Sequence, residues 1–162
     1  MSEPYDETLE GETTLRLPPG TRHELICARL HAALKASVAD FAGARLSEIR
    51  APIQLGGGTI LRPDLSLVTA ATGKLWLAVE VVSSDDHRVD TVSKKEIYEA
   101  NKVPRLWMVD PRYDNVEVYH ASQFGLVLKE ILAGREILVE SLLPEFQFAV
   151  NELFRPETAT AA

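Results

Sequence analysis

Leu75-Trp76-Leu77-Ala78-Val79-Glu80-Val81-Val82 reads as a buried strand carrying one acid. A carboxylate among valine, leucine and tryptophan costs several kcal/mol unless it is paired or holds a metal, so Glu80 needs a partner. Just upstream, Arg62-Pro63-Asp64 sets a second acid at the start of the preceding strand, 64–68. An antiparallel turn at 69–74 would lay the start of that strand beside the end of the next and bring Asp64 to Glu80. Alternation places Leu75, Leu77, Val79 and Val81 on one face and Trp76, Ala78, Glu80 and Val82 on the other.

Downstream, a polar loop from Ser83 to His87 leads into a helix expected over about Arg88–Asn101. There Asp90, Lys94 and Tyr98 recur at four-residue spacing, one continuous stripe. The short apolar strand Leu106-Trp107-Met108-Val109 follows and is stopped by Asp110-Pro111. Strand, helix and strand in that order imply a parallel, right-handed crossover, with the second strand beside the first in the sheet interior.

Upstream, Ile26, Leu30, Ala33, Leu34, Val38 and Phe41 make an apolar stripe on a first helix from Arg22 to Phe41. Thr21 and Glu24 have capping-box spacing at its start. A strand is expected from Ile49 to Leu55 and a turn at Gly56-Gly57-Gly58. That turn lacks the lysine and following helix of a phosphate-binding loop. A second strand is expected from Leu61 on to Val68. After the crossover, strands are expected at Val116–His120, Leu126–Ile131 and Ile137–Val139, and a short helix at Val150–Phe154. This is an α/β fold, a mixed β-sheet core flanked by helices. The chain of 162 residues reads as a single domain with its core at about 20–154, and with 1–14 and 155–162 loosely ordered.

Net charge of −7 counts against broad electrostatic attraction to nucleic acid, though not against a local basic groove. Cys27 is the only cysteine, which excludes an internal disulfide and, with no signal peptide or spanning segment, points to the cytoplasm.

Two acids and a lysine from adjacent elements fit magnesium-dependent phosphodiester hydrolysis. Mg²⁺ takes oxygen ligands and keeps several waters, so Asp64, Glu80 and the backbone carbonyl of Val81 would suffice. Lys94 could serve the attacking water and offset phosphate charge. Each residue also has a structural reading. Asp90 and Lys94 could be a helix-surface ion pair, Asp64 a turn residue, and Glu80 a buried partner of Arg88 or Lys94. Glu24 could be only a cap, and Tyr98 only packing.

Together, Arg62-Pro63-Asp64, Glu80-Val81-Val82-Ser83, Asp90…Lys94…Tyr98 and Val103-Pro104-Arg105-Leu106-Trp107-Met108-Val109-Asp110-Pro111 resemble the Uma-type putative restriction endonucleases of the PD-(D/E)XK nuclease superfamily. The resemblance covers roughly residues 20–145 and includes His23. It implies a restriction-endonuclease-like fold and a nuclease using Mg²⁺ or Mn²⁺. Asp64 and Glu80 are its implied metal ligands and Lys94 its catalytic lysine, with His23, Glu24, Asp90 and Tyr98 in support. Val82 stands where the superfamily usually has its lysine, so the role moves to the helix. Lys95 is the adjacent alternative, about 100° around it. DNA is the expected partner, with Arg62, Arg88 and Lys95, and further off Lys102 and Arg105, as phosphate contacts. A homodimer would suit cleavage of both strands, with Phe124, Leu126, Phe146 and Phe148 available to an interface. A silent nuclease-like binding module and a hydrolase of small phosphorylated substrates are the alternatives.

Overall fold

A computed structural model describes residues 3–83 and 89–157, with backbone alone for Val89 and Asp90. Arg88 and the side chain of Asp90 therefore lie outside the described residues. The elements in chain order are β1 (Tyr5–Leu9), β2 (Glu12–Arg16), α1 (Thr21–Val38), β3 (Ala44–Leu46), β4 (Ile53–Leu55), β5 (Thr59–Leu61), β6 (Leu65–Thr69) and β7 (Leu75–Val81). A π-helical turn over Val89–Lys94 runs into α2 (Lys95–Ala100), followed by β8 (Arg105–Asp110), β9 (Asn115–Ser122), β10 (Gly125–Ala133), β11 (Ile137–Glu140), β12 (Leu143–Ala149) and α3 (Val150–Phe154).

The central sheet has six strands in the order β10-β9-β8-β7-β6-β3. β7 and β8 pair in parallel, with Glu80 opposite Met108, while β6 pairs antiparallel to β7 with Leu65 opposite Val79. The expected parallel pairing is therefore present, and the β6–β7 register sets Asp64 beside Glu80. On one face Leu77, Val79 and Val81 pack with Ile26, Leu30 and Leu34 of α1 and with Trp107 and Phe146. On the other, Ala78 packs with Ile97 and Tyr98 of α2, Leu106 and Met108. Among the described residues no helix is long and apolar enough to cross a membrane.

Several expectations change. The stretch from Leu61 to Val68 is not one strand: β5 belongs to a separate sheet, ordered β2-β1-β5-β4, and the chain leaves it at Arg62-Pro63 before β6 enters the central one. Proline has no N–H to give a ladder, which makes Pro63 a natural break. Trp76 packs with the α1 side and Leu75 with the α2 side, opposite to simple alternation. The cause is a register shift where Leu67 and Val68 meet Leu77 and Leu75, since one irregular residue inverts the faces beyond it. Within 1–14, expected to be loosely ordered, β1 and most of β2 form a hairpin that runs on to Arg16, opposite Tyr5. The capping box is absent: α1 starts after Gly20 without a side-chain cap, and Glu24 pairs with Arg50 instead. Leu126 and Phe146 are buried, which leaves Phe124, 83% exposed, as the prominent apolar surface residue of that group.

Candidate active site

Asp64, Glu80 and Lys94 are 4%, 1% and 2% exposed and line one cleft of about 380 Å³. Asp64 follows Pro63 at the edge of β6, where its Oδ2 accepts the backbone N–H of Val81 at 2.8 Å. That bond replaces a strand-ladder bond and fixes the carboxylate against the end of β7. Glu80 points from β7 toward the π-turn and α2. Lys94 Nζ donates to Glu80 Oε1 at 3.1 Å, and Tyr98 Oη donates to Glu80 Oε2. The four-residue spacing thus brings Lys94 and Tyr98 to one carboxylate. Lys95 turns away, with its ammonium 3.9 Å from Glu99 and 5.2 Å from the Tyr119 ring centroid. Lys94 is the lysine at the acids.

Glu7 is one of the residues of this cluster that the sequence does not announce. It comes from β1, is 1% exposed, and its Oε1 lies 2.9 Å from Lys94 Nζ and 2.8 Å from Arg16 Nε. Its Oε2 accepts the Arg62 backbone N–H at 2.7 Å. Arg62 is therefore tied in through its main chain, while its guanidinium donates to the Arg50 carbonyl at 3.2 Å. Arg50 was missed as well. It adopts φ 56°, a left-handed conformation unusual outside glycine, and its guanidinium meets Asp64 Oδ1 at 3.0 Å and both Glu24 oxygens at 2.6 Å. A buried acid demands a cation, and an arginine close in sequence to Pro63-Asp64 is the signal the sequence offers for it. Of the proposed phosphate contacts, Lys102 lies on a left-handed turn and Arg105 pairs with Glu140 at 2.8 Å.

His23, on the first turn of α1, faces the same end of β7. Its Nε2 lies 3.0 Å from the Val81 carbonyl and 3.5 Å from Asp64 Oδ2, and its Nδ1 lies 3.6 Å from Glu24. Burial pulls the imidazole pKa down, but the hydrogen bond and charge of Asp64 outweigh it and lift it above the ordinary 6.5. For Asp64, burial pushes upward, yet His23 and then Lys94 bring the carboxyl below its ordinary value. Burial first, then the charge of Glu80, raises the Tyr98 phenol well above its usual range, so it stays a donor. Burial likewise pushes up the Cys27 thiol, which is an inert packing group.

These shifts have a testable sign. A histidine raised on folding contributes stability that is present below its unfolded pKa and lost as pH rises through its folded pKa. In metal-free buffer the urea midpoint is therefore expected to fall as pH climbs from about 6.5, and His23→Gln to flatten that slope. An unchanged slope in the variant would detach His23 from the effect.

A cation fits this centre. Among the described residues, four carboxylates, Glu7, Glu24, Asp64 and Glu80, gather around Arg16, Arg50 and Lys94, a donor set rich in the oxygen that divalent cations take. The Val81 carbonyl also turns toward the cleft rather than into the sheet.

Over residues 3–151 the chain matches the Uma2 family, described as "Putative restriction endonuclease". Among solved structures it is similar to a putative nuclease belonging to DUF820 from Anabaena variabilis. The TM-score is 0.78 at 19% identity, covering 94% of this chain and 91% of that one. No match was found among curated proteins.

Proposed function

We propose, since the chain belongs to the Uma2 family of putative restriction endonucleases, that it is a metal-dependent endonuclease hydrolysing phosphodiester bonds of DNA. One observation carries this reading: two buried acids, a strand-end carbonyl and a lysine from different elements converge in one cleft. Asp64, Glu80 and the Val81 carbonyl would hold Mg²⁺ or Mn²⁺. Once bound, the cation supplies Lewis acidity toward a phosphodiester oxygen and toward water.

The chain's own groups do the rest. Lys94, held by Glu7 and Glu80, presents its ammonium where the attacking water and the charge of the pentacovalent phosphate would lie. Tyr98 and Lys94 fix Glu80 in one rotamer, so little reorganisation is left for the reaction. Arg22 and Arg112 border the cleft and can guide a phosphate backbone despite the acidic whole. A homodimer would present two such clefts to a duplex.

The test is cleavage of supercoiled plasmid with Mg²⁺, Mn²⁺ or EDTA, beside Asp64→Ala and Glu80→Ala. The expected result is metal-dependent nicking, with both variants reduced by roughly 10²–10³-fold or more. Absence of cleavage, with metal binding equal in wild type and variants, would leave the silent binding module. Internal pairing of Lys94 by two acids is the observation on that side.

A further inference from the structure

Among the described residues, the oxygen ligands proposed above leave His23 and Cys27 as further donors beside Asp64, and the His23 ring faces the ligands. His23 Nε2 lies 3.0 Å from the Val81 carbonyl oxygen and 3.5 Å from Asp64 Oδ2. Neighbouring ligands of an octahedral cation, each about 2.1 Å from it, stand roughly 3.0 Å apart. These two separations are therefore close to edges of a coordination octahedron. The imidazole is mostly buried, with 13% of its side chain exposed, and it is anchored on the first turn of an 18-residue helix. Its ring plane is directed from behind as well, since Nδ1 faces Glu24 Oε1 at 3.6 Å and Cys27 Sγ at 3.7 Å. Metal-ligating histidines commonly give their other ring N–H to a carboxylate; here Glu24 at 3.6 Å lies just beyond hydrogen-bond length, and the bonded neighbour of Nδ1 is Cys27 Sγ.

We infer that His23 is itself a metal ligand through Nε2, and that the site takes a first-row transition cation in preference to Mg²⁺. This rests on the metal-dependent reading above. An imidazole adds little to a magnesium site, because Mg²⁺ prefers oxygen and gives up water reluctantly. The same nitrogen strengthens binding of Mn²⁺, Co²⁺ and the later divalent ions, whose affinity for mixed nitrogen and oxygen sites rises along the series. Binding at Nε2 requires the proton now shared with the Val81 carbonyl to leave that nitrogen. Nδ1 then carries the remaining proton toward Glu24, and a proton passes to solvent if the ring began doubly protonated. The buried Cys27 thiol hydrogen-bonds to Nδ1 at 3.7 Å, on the side of the ring away from Nε2, and is not needed as a ligand.

The test reads the metal rather than cleavage. Mn²⁺ is added to the purified full chain and its coordination sphere examined by pulsed electron paramagnetic resonance for coupling to ¹⁴N. Calorimetry gives the affinities for Mn²⁺ and Mg²⁺. A directly bound imidazole nitrogen is expected in wild type and lost in His23→Ala and His23→Gln. It should be kept in His87→Ala, a necessary comparison because His87 lies outside the described residues. Mn²⁺ affinity should drop about 10–100-fold in the His23 variants, and Mg²⁺ affinity by less than about threefold. Circular dichroism reports whether each variant is folded, and the wild-type spectrum stands without any variant. Mn²⁺ bound with oxygen ligands alone, or nitrogen coupling that persists without His23, overturns the inference and leaves the metal-dependent reading intact. No binding of either ion sinks both.

Discussion

Lys94→Met is expected to lower plasmid cleavage by about 10²–10³-fold and to destabilise the fold by about 3–5 kcal/mol. Both effects come from the same contacts. The ammonium lies 2.9 Å from Glu7 and 3.1 Å from Glu80, and all three side chains are essentially inaccessible. A buried pair contributes little relative to a hydrophobic replacement of both partners, but deleting one partner strands a charge out of water. Here one deletion takes the ammonium from two buried carboxylates, of which Glu7 keeps Arg16 and the Arg62 N–H and Glu80 keeps the Tyr98 hydroxyl. At this chain length each kcal/mol moves the melting temperature by about 2–4 °C, so a fall of roughly 10 °C is expected.

A second substitution separates chemistry from folding. Glu7→Gln added to Lys94→Met removes one of the two buried charges that lost the ammonium and should recover part of the lost stability without recovering cleavage. Thermal melts and nicking rates on the same four proteins give the coupling directly. Cleavage restored together with stability would make Lys94 a structural residue only.

Trp107→Ala should cost about 3–5 kcal/mol, the range for emptying a large aromatic from a core. Trp107 is fully buried in β8, parallel to the strand that carries Glu80, and its ring stacks on Phe146 with centroids 5.5 Å apart. Around it lie residues from α1, β7 and β12, so no single element can close the void. Its indole N–H has no hydrogen-bond partner among the described residues. Trp107→Phe therefore gives up no hydrogen bond and should cost about 1.5 kcal/mol or less, apart from the ring volume. Urea denaturation of both variants checks this, and similar losses for Phe and Ala would mean the unpartnered indole nitrogen contributes after all.

The parts of this molecule that were legible in its sequence share a local signal. Glu80 stood out because an acid in an apolar run is expensive, and Lys94 and Tyr98 because four-residue spacing aligns side chains on a helix. The parallel β7–β8 pair followed from strand, helix, strand in short succession. What escaped notice depends on partners far along the chain. β1 reads Tyr-Asp-Glu-Thr-Leu, a sequence with no apolar period. Its pairing comes from β2 and β5, and its acid is held by Arg16, Lys94 and the Arg62 main chain. Arg50 acts through a left-handed backbone that no composition announces. The exchanged faces of Leu75 and Trp76 arise from a register shift, which simple alternation cannot anticipate.

The place of Glu7 also sets the order in which this protein can come alive. A ribosome releases β1 early, whereas the main-chain N–H that Glu7 engages at Arg62 lies 55 residues further on, and Lys94 later still. At about 5–20 residues per second of synthesis, the first hairpin must wait several seconds for its partners. Until they emerge, the acids and the lysine of the cleft cannot be gathered. The cleft is therefore complete only once β1 has docked onto segments made after it.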